Sequence, residues 1–297
     1  MDELQETGTQ VVTTPAPSAG QFYLVWRRLR RSKAAMGGGL LVLLLLVVAL
    51  LAPWIAPYYY ADQNLDIVLQ PPSPAHPLGT DDFGRDVLSR IIYGSRISLL
   101  VGTVAVGIGA SLGIFLGAAA GYFGGWVDHL VIALIDIAWS FPTILLAIAL
   151  VAVLQPGLTS AMVALGLVTW PSYARLMRGQ VLALREKEFV EAARAVGAPA
   201  WRILGRQIIP NALPPIIVMA TLGMADAIIV ESTLSYLSLG AQPPQPSWGS
   251  MLNAGRTFMY HGPWLTIFPG LAILFTVLGF NLFGDALRDA MDPHLKR

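Results

Sequence analysis

The chain has 297 residues, 55% hydrophobic and 12% charged, with a net charge of +1. So little charge excludes an ordinary soluble domain, which carries roughly twice as much, and puts most of the chain against lipid or other apolar helices. A near-neutral chain without an aromatic-interleaved basic tract leaves a nucleic-acid partner without support, and the absence of cysteine removes disulfides, thiolate metal sites and a cysteine nucleophile.

Residues 1–20 are polar, rich in Thr, Pro and Gly, and lack the apolar run of a signal peptide, which predicts a disordered stretch within an N-terminal tail, 1–33. Arg27, Arg28, Arg30, Arg31 and Lys33 precede the first apolar run and should hold that tail in the cytoplasm. Residues 34–61 carry no charge, and span one is placed at 34–56, long enough to cross ~30 Å of hydrocarbon. Residues 57–96, with five Asp and three Arg, are too charged for lipid and form an external segment. There Asp81 or Asp82 can cap a helix, and the Asp81–Arg85 and Asp86–Arg90 spacings suit ion pairs. Val87, Leu88, Ile91 and Ile92 share one face, which predicts an interfacial helix along the outer membrane surface.

The core, 97–290, opens with an uncharged span two, 97–127. Ala105, Gly109, Gly113, Gly117 and Gly121 recur at every fourth position of it, a face of bare backbone suited to close helix packing; the other use of such a face is a smooth wall along a translocation path. Residues 130–174 hold one charge, Asp136, and are cut by Gln155-Pro156-Gly157, giving spans three and four as a hairpin. Residues 175–206 carry seven Arg or Lys and belong outside the bilayer. Span five is expected over Ile208–Leu234 and span six over Gly262–Gly284, joined by a Pro-rich external loop, 236–261, with a tail at 291–297. Six spans put both termini on one side, and a cytoplasmic N-terminus places 15 of the 19 Lys and Arg inside. Tyr58, Tyr59, Tyr60, Trp126, Trp248, Tyr260 and Trp264 lie near span ends, as an aromatic belt would.

In the cytoplasmic loop 185–209, Glu188–Val196 can form a short helix, Gly197 suits the left-handed residue that ends it, and Pro199 suits the first turn of the next. That second helix, Trp201–Ile209, is expected to stop at Pro210 before span five. A rigid bend of this kind is a docking knob for a soluble partner.

Glu191-Ala192-Ala193-Arg194-Ala195-Val196-Gly197, with Pro210 thirteen residues past the glycine, resembles the EAA loop of binding-protein-dependent ABC importers; Gln207 and Ile209 stand where that pattern has Ile and Leu. The stretches Leu78–Leu99, Gly240–Leu252 and Phe280–Asp289 resemble the dipeptide, oligopeptide and nickel branch, in the subunit type called the C permease. The resemblance covers nearly everything from Arg27 to Arg297 and is greatest to dipeptide permeases. It implies an all-α integral membrane protein of the type I importer permease fold, six transmembrane helices, with span one outside a core of spans two to six. It also implies a coupling loop, carried by Glu191, Ala192, Ala193, Gly197 and Pro199, that fits a groove on the ATPase. The partners implied are a homologous second permease, two ATPase chains that bind the ATP and magnesium, and an external substrate-binding protein, all at the inner membrane. No cofactor is expected in this chain. Dipeptides or oligopeptides lead as substrates, with nickel chelates, glutathione and small oligosaccharides open.

The external mouth is assigned to Asp82, Arg85, Asp86 and Arg90 together with Gln242, Pro243, Pro244 and Trp248. The first group either supports the mouth or touches substrate or binding protein. The second makes either a semi-rigid plug, with Ser247 capping a short helix, or a plain interfacial loop anchored by Trp248. Two acids stand in span five, Asp226 and Glu231, and five residues of helix leave them about 140° apart, so they cannot line one route together. Glu231 either lines the route or, as the expected reading, pairs with Arg256 or another external base. Asp226 either faces a water-filled route between two permeases, favouring cationic amino groups, or hydrogen-bonds to the partner permease.

The three lysines, Lys33, Lys187 and Lys296, lie in no phosphate-binding loop, so ATP hydrolysis belongs to other chains. His76, His129, His261 and His294 form no HExxH-like pair, and neither a GxSxG nor a paired-Asp arrangement supports an enzyme. An ion-coupled secondary transporter is the rival class, and Asp136 and Asp226 would be its coupling sites.

Overall fold

The structure, a computed structural model, describes residues 21–291; the disordered stretch expected at 1–20 and tail residues 292–297, His294 included, lie outside them. The end of the supposed N-terminal tail is a helix, α1 (Gln21–Leu29), and Arg28 donates to the Ala290 carbonyl at 3.1 Å. Helix α2 (Lys33–Ile55) starts where the Ser32 hydroxyl accepts from the Ala35 amide at 3.2 Å. Leu40, Leu43, Leu44, Leu46, Leu50 and Leu51 are exposed, Leu45 packs on the bundle, and Ala35, Gly38, Ala49 and Ala52 are its buried residues. This helix lies outside the bundle, against the last helix, α11 (Trp264–Met291), which Gly38 lets approach closely.

Helix α3 (Val87–Phe123) runs unbroken for 37 residues. The separate interfacial helix expected within 57–96 therefore does not form, because no proline interrupts the chain between Val87 and the apolar run. Residues 57–86 are instead a folded loop with a single 3₁₀ turn, Leu65–Ile67. Span three is two helices, α4 (Gly125–Trp139) and α5 (Thr143–Leu154), which meet at 90°. Pro142 stands at that break and has no N–H to continue the ladder. Span four, α6 (Leu158–Leu184), continues ten residues past its expected end at 174, carrying Arg175 and Arg178 on helix rather than loop.

After α7 (Glu188–Ala195) and the short α8 (Ala200–Ile203), the chain passes through one π turn, Leu204–Ile208, into α9 (Ile209–Tyr236). Pro210 was expected to end a helix here and does not. The π turn widens the helix just before the proline, which accommodates a ring that would clash with an ordinary preceding turn. Helix α10 (Trp248–Thr257) packs on α9 and α11. Four described helical runs, α2, α3, 200–236 and α11, are long and apolar enough to cross a membrane, and the bent α4–α5 pair would add a fifth. The expected sixth, α6, has the length but is less apolar.

The glycine column of α3 is a packing seam. Gly109, Gly113, Gly117 and Gly121 are all buried, and Cβ atoms on them would run into Thr169, Tyr173, Ala174 and Val181 of α6. No wall of a path lies there. In lipid, two helices gain little from burying apolar surface, so close dispersion contact and small residues decide the pairing. Gly117→Val should therefore lower the stability of the detergent-solubilised protein by about 1–3 kcal/mol, seen as a lower unfolding temperature. Gly107→Val, on the same helix with nothing within 4 Å of the added carbon, should leave it unchanged.

Candidate functional site

Candidate residues gather at two ends of the bundle, joined by α9, whose 28 residues span roughly 42 Å.

At the first end, α7 buries Val190 and Ala193 against Met177, Val181, Ile203 and Ile208. Its other face leaves Glu191, Ala192 and Val196 exposed. The helix closes in a Schellman turn: the Gly197 amide donates to the Arg194 carbonyl at 2.9 Å and the Ala198 amide to the Ala193 carbonyl at 3.0 Å. Gly197 holds φ +78, as the sequence predicts, and Pro199 is the cap preceding α8. The turn projects outward: among the described residues nothing lies within 4 Å of where a Cβ on Gly197 would stand. Of the five loop candidates, Ala193 is corrected: it faces the bundle and serves close packing within the chain.

The opposite end is built around Asp81. Its Oδ1 accepts from the Phe83 and Arg85 amides, both at 2.9 Å, and its Oδ2 from Arg85 Nε at 2.7 Å, with Arg90 Nε at 3.5 Å. Gly84, at φ +68, turns the chain against the Asn64 backbone so tightly that no side chain fits. That turn delays the helix to Val87, so the cap expected of Asp81 or Asp82 falls to Asp86, whose carboxylate accepts from the Ser89 amide and hydroxyl at 2.7 Å each. Asp81–Arg85 forms as predicted. Asp86–Arg90 does not: Asp86 is occupied by Ser89 and by His76 at 2.9 Å, and the buried Arg90 turns to Asp81 and the Tyr60 carbonyl. His76 also stacks on Tyr58.

Asp82, Arg85, Arg90, Gln242, Pro243 and Pro244 line one cavity of about 330 Å³. Two segments about 150 residues apart in sequence thus form a single surface. Arg85 Nη2 stands 3.7 Å from Asp82, and Asp82 Oδ1 is buried without a hydrogen-bond partner among the described residues. Burial, with Asp81 beside it, pushes the Asp82 carboxyl above its ordinary value.

Trp248 is neither a plug nor a lipid anchor. It is 1% exposed, its ring fills the space above Gly94, and its Nε1 donates to the Ile91 carbonyl at 3.1 Å. Ser247 caps α10 as expected, in a reciprocal box with Ser250. Trp264 was missed as a site residue: it donates to the Thr80 carbonyl at 3.2 Å, and its indole at a span end was the only signal.

Glu231 and Asp226 part company as their spacing predicts. Asp226 is exposed, one turn from Gly223, where the Tyr173 hydroxyl lies. Glu231 is fully buried, and the expected pair with Arg256 is absent: Arg256 lies over the Tyr236 ring, while Glu231 accepts from the Ser235 hydroxyl at 2.7 Å. Asp136, a coupling-ion candidate for the rival class, is an exposed partner of Arg175 at 3.0 Å. No group of three or more His, Asp or Glu among the described residues is placed to hold a metal.

Residues 113–297 match the family described as binding-protein-dependent transport system inner membrane component, and residues 20–72 match the N-terminal TM domain of oligopeptide transport permease C. The dipeptide transport system permease protein DppC of Alkalihalophilus pseudofirmus is 46% identical over 271 residues, covering 91% of this chain and 89% of the relative. The glutathione transport system permease proteins GsiD of Pectobacterium atrosepticum and Escherichia coli are 45% and 47% identical, each covering 91% of this chain and 90% of theirs. Among solved structures, an inward-facing form of the MetNI methionine ABC transporter shares the fold, with a TM-score of 0.55 at 20% identity over 68% of this chain and 97% of that one. The chain belongs to the binding-protein-dependent inner membrane components and is a non-catalytic, multi-pass permease subunit of an ABC importer.

Proposed function

We propose that the chain works as one of two different permeases with two ATPase chains and an external binding protein, and moves short peptides inward. In this arrangement both termini and the knob face the cytoplasm, the cavity end faces outward, and ATP and magnesium are bound by the ATPase chains. The observation that carries the docking assignment is the rigid, outward-projecting Schellman turn with Glu191, Ala192 and Val196 exposed around it. Small side chains there let a groove close on backbone, and Glu191 offers a charge to a basic groove residue. Dipeptides are the leading cargo and glutathione, itself a peptide, the second; relatives named for each support this pair over nickel chelates or small oligosaccharides.

Asp226 belongs to this mechanism. It is exposed on α9, as is Ile229 one turn on. A carboxylate within a span needs water or a partner, and a water-filled route between the two permeases supplies the first. There it favours the amino group of a passing peptide. A hydrogen bond to the partner permease is the competing role.

Gly197→Val forces a β-branched residue to positive φ, a strain of about 1–2 kcal/mol, and displaces the turn. In a normally assembled complex, ATP-driven uptake into proteoliposomes should fall at least tenfold; uptake at the wild-type rate would remove the docking role. Asp226→Asn keeps shape and hydrogen bonding but loses charge. Uptake of a dipeptide with a free N-terminus should fall roughly tenfold, about 1.4 kcal/mol, while an N-acetylated dipeptide is unaffected. Equal rates for both peptides in mutant and wild type would point to the partner-permease contact instead.

A further inference from the structure

Glu231 is an acid with no cation beside it among the described residues. Its side chain is fully buried, its Oε1 accepts from the Ser235 hydroxyl at 2.7 Å, and its Oε2 has no hydrogen-bond partner among the described residues. A buried carboxyl is worse for stability than an apolar side chain of the same volume unless its hydrogen bonds matter. Here they reach the cavity. Ser235 also accepts from the Ala241 amide at 3.0 Å, and both Ser235 and Ala241 line the cavity wall next to Gln242.

Two close contacts reinforce the same junction. A Cβ on Gly240 would overlap the Ser235 hydroxyl, and a Cβ on Gly249 would overlap the Ser232 carbonyl. The segment 240–249 is therefore pressed onto the last turns of α9. That helix is the far end of the continuous run 200–236, which begins beside the Schellman turn.

We propose that Glu231 is a positioning residue: through Ser235 it fixes the segment 240–249 to α9, so that movement of α8 and α9 at the knob end shifts the cavity rim. Its carboxyl acts as a hydrogen-bonding post and not as an ion, so glutamine can replace it and alanine cannot. Hydrogen bonding alone is conserved by the first change, and the relay to Ala241 is lost in the second.

The test uses the complete transporter with both permeases, ATPases and binding protein. Phe83 and Gln245 are exposed on the cavity lining, and the chain has no native cysteine, so Phe83→Cys and Gln245→Cys take spin labels cleanly. The label-to-label distance should change when ATP binds. Glu231→Gln should keep that change and hold glycylglycine uptake within twofold of wild type; Glu231→Ala should abolish the change and lower uptake at least tenfold. Ser235→Ala breaks the relay from the other side, should lose the distance change too, and decides the matter if Glu231→Ala fails to assemble. The proposal is overturned if the labels do not move in the wild type, if the change survives Ser235→Ala or Glu231→Ala, or if glutamine is as defective as alanine. Only the uptake arm rests on the peptide-import reading: wild-type protein that shows the distance change without glycylglycine uptake counts against that cargo and leaves the positioning role standing.

Discussion

How closely α6 can approach α3 sets the position of nearly everything else. The bare face from Gly109 to Gly121 lets the side chains of Tyr173, Met177 and Val181 sit directly on the α3 backbone. Those residues then meet Val190 and Ala193 of α7, Ile203 of α8 and Ala212 and Ile216 of α9 in one buried cluster. The base of the knob is thus built on the same seam. A single methyl group in the column would push α6 outward and carry α7 with it, because interiors this dense transmit a displacement and do not absorb it.

The two ends meet opposite physical demands. The docking role proposed for the knob requires free contact atoms, and the turn leaves them free by satisfying its own backbone in the Schellman hydrogen bonds. The other end folds a long polar loop against the bundle and buries charge in doing so. Buried Arg85 and Arg90 are tolerable because Asp81 and the Tyr60 carbonyl meet them, and removing one member would leave an uncompensated charge. Two tryptophan N–H groups close the same region from below, on the carbonyls of Ile91 and Thr80.

Much of this was legible from the chain alone. Spans show as uncharged windows, the Gly197 turn as a glycine after a short amphipathic helix, and the seam as a four-residue glycine repeat, since each is a local pattern. What escaped depends on neighbours distant in sequence. Asp86 took the cap because Gly84 needs the Asn64 backbone beside it, and Trp248 went inward because Gly94, more than 150 residues earlier, leaves room for its ring. The break at Pro142 was visible as a residue but not as a 90° bend, because whether a proline kinks or ends a helix is decided by what packs on either side. For Glu231 the sequence suggests a basic partner, because an acid within a span needs one or water. Its real partner is a serine one turn away.

Pro210 shows why such a difference has mechanical weight. Had it ended the second loop helix, the knob and span five would be separate bodies joined by a flexible link, and a push on one would be lost in the link. The π turn at Leu204–Ile208 removes the clash while keeping backbone hydrogen bonds, so helical structure runs from Ala200 to Tyr236. A helix resists bending better than a loop, so in the proposed coupling a displacement at Ala200 passes along one helical run, through Pro210, Pro214 and Pro215, toward Ser235. At that far end the buried Ser235–Glu231 and Ala241–Ser235 hydrogen bonds, at 2.7 and 3.0 Å, hold the segment 240–249 to the helix, which is what the proposed relay requires.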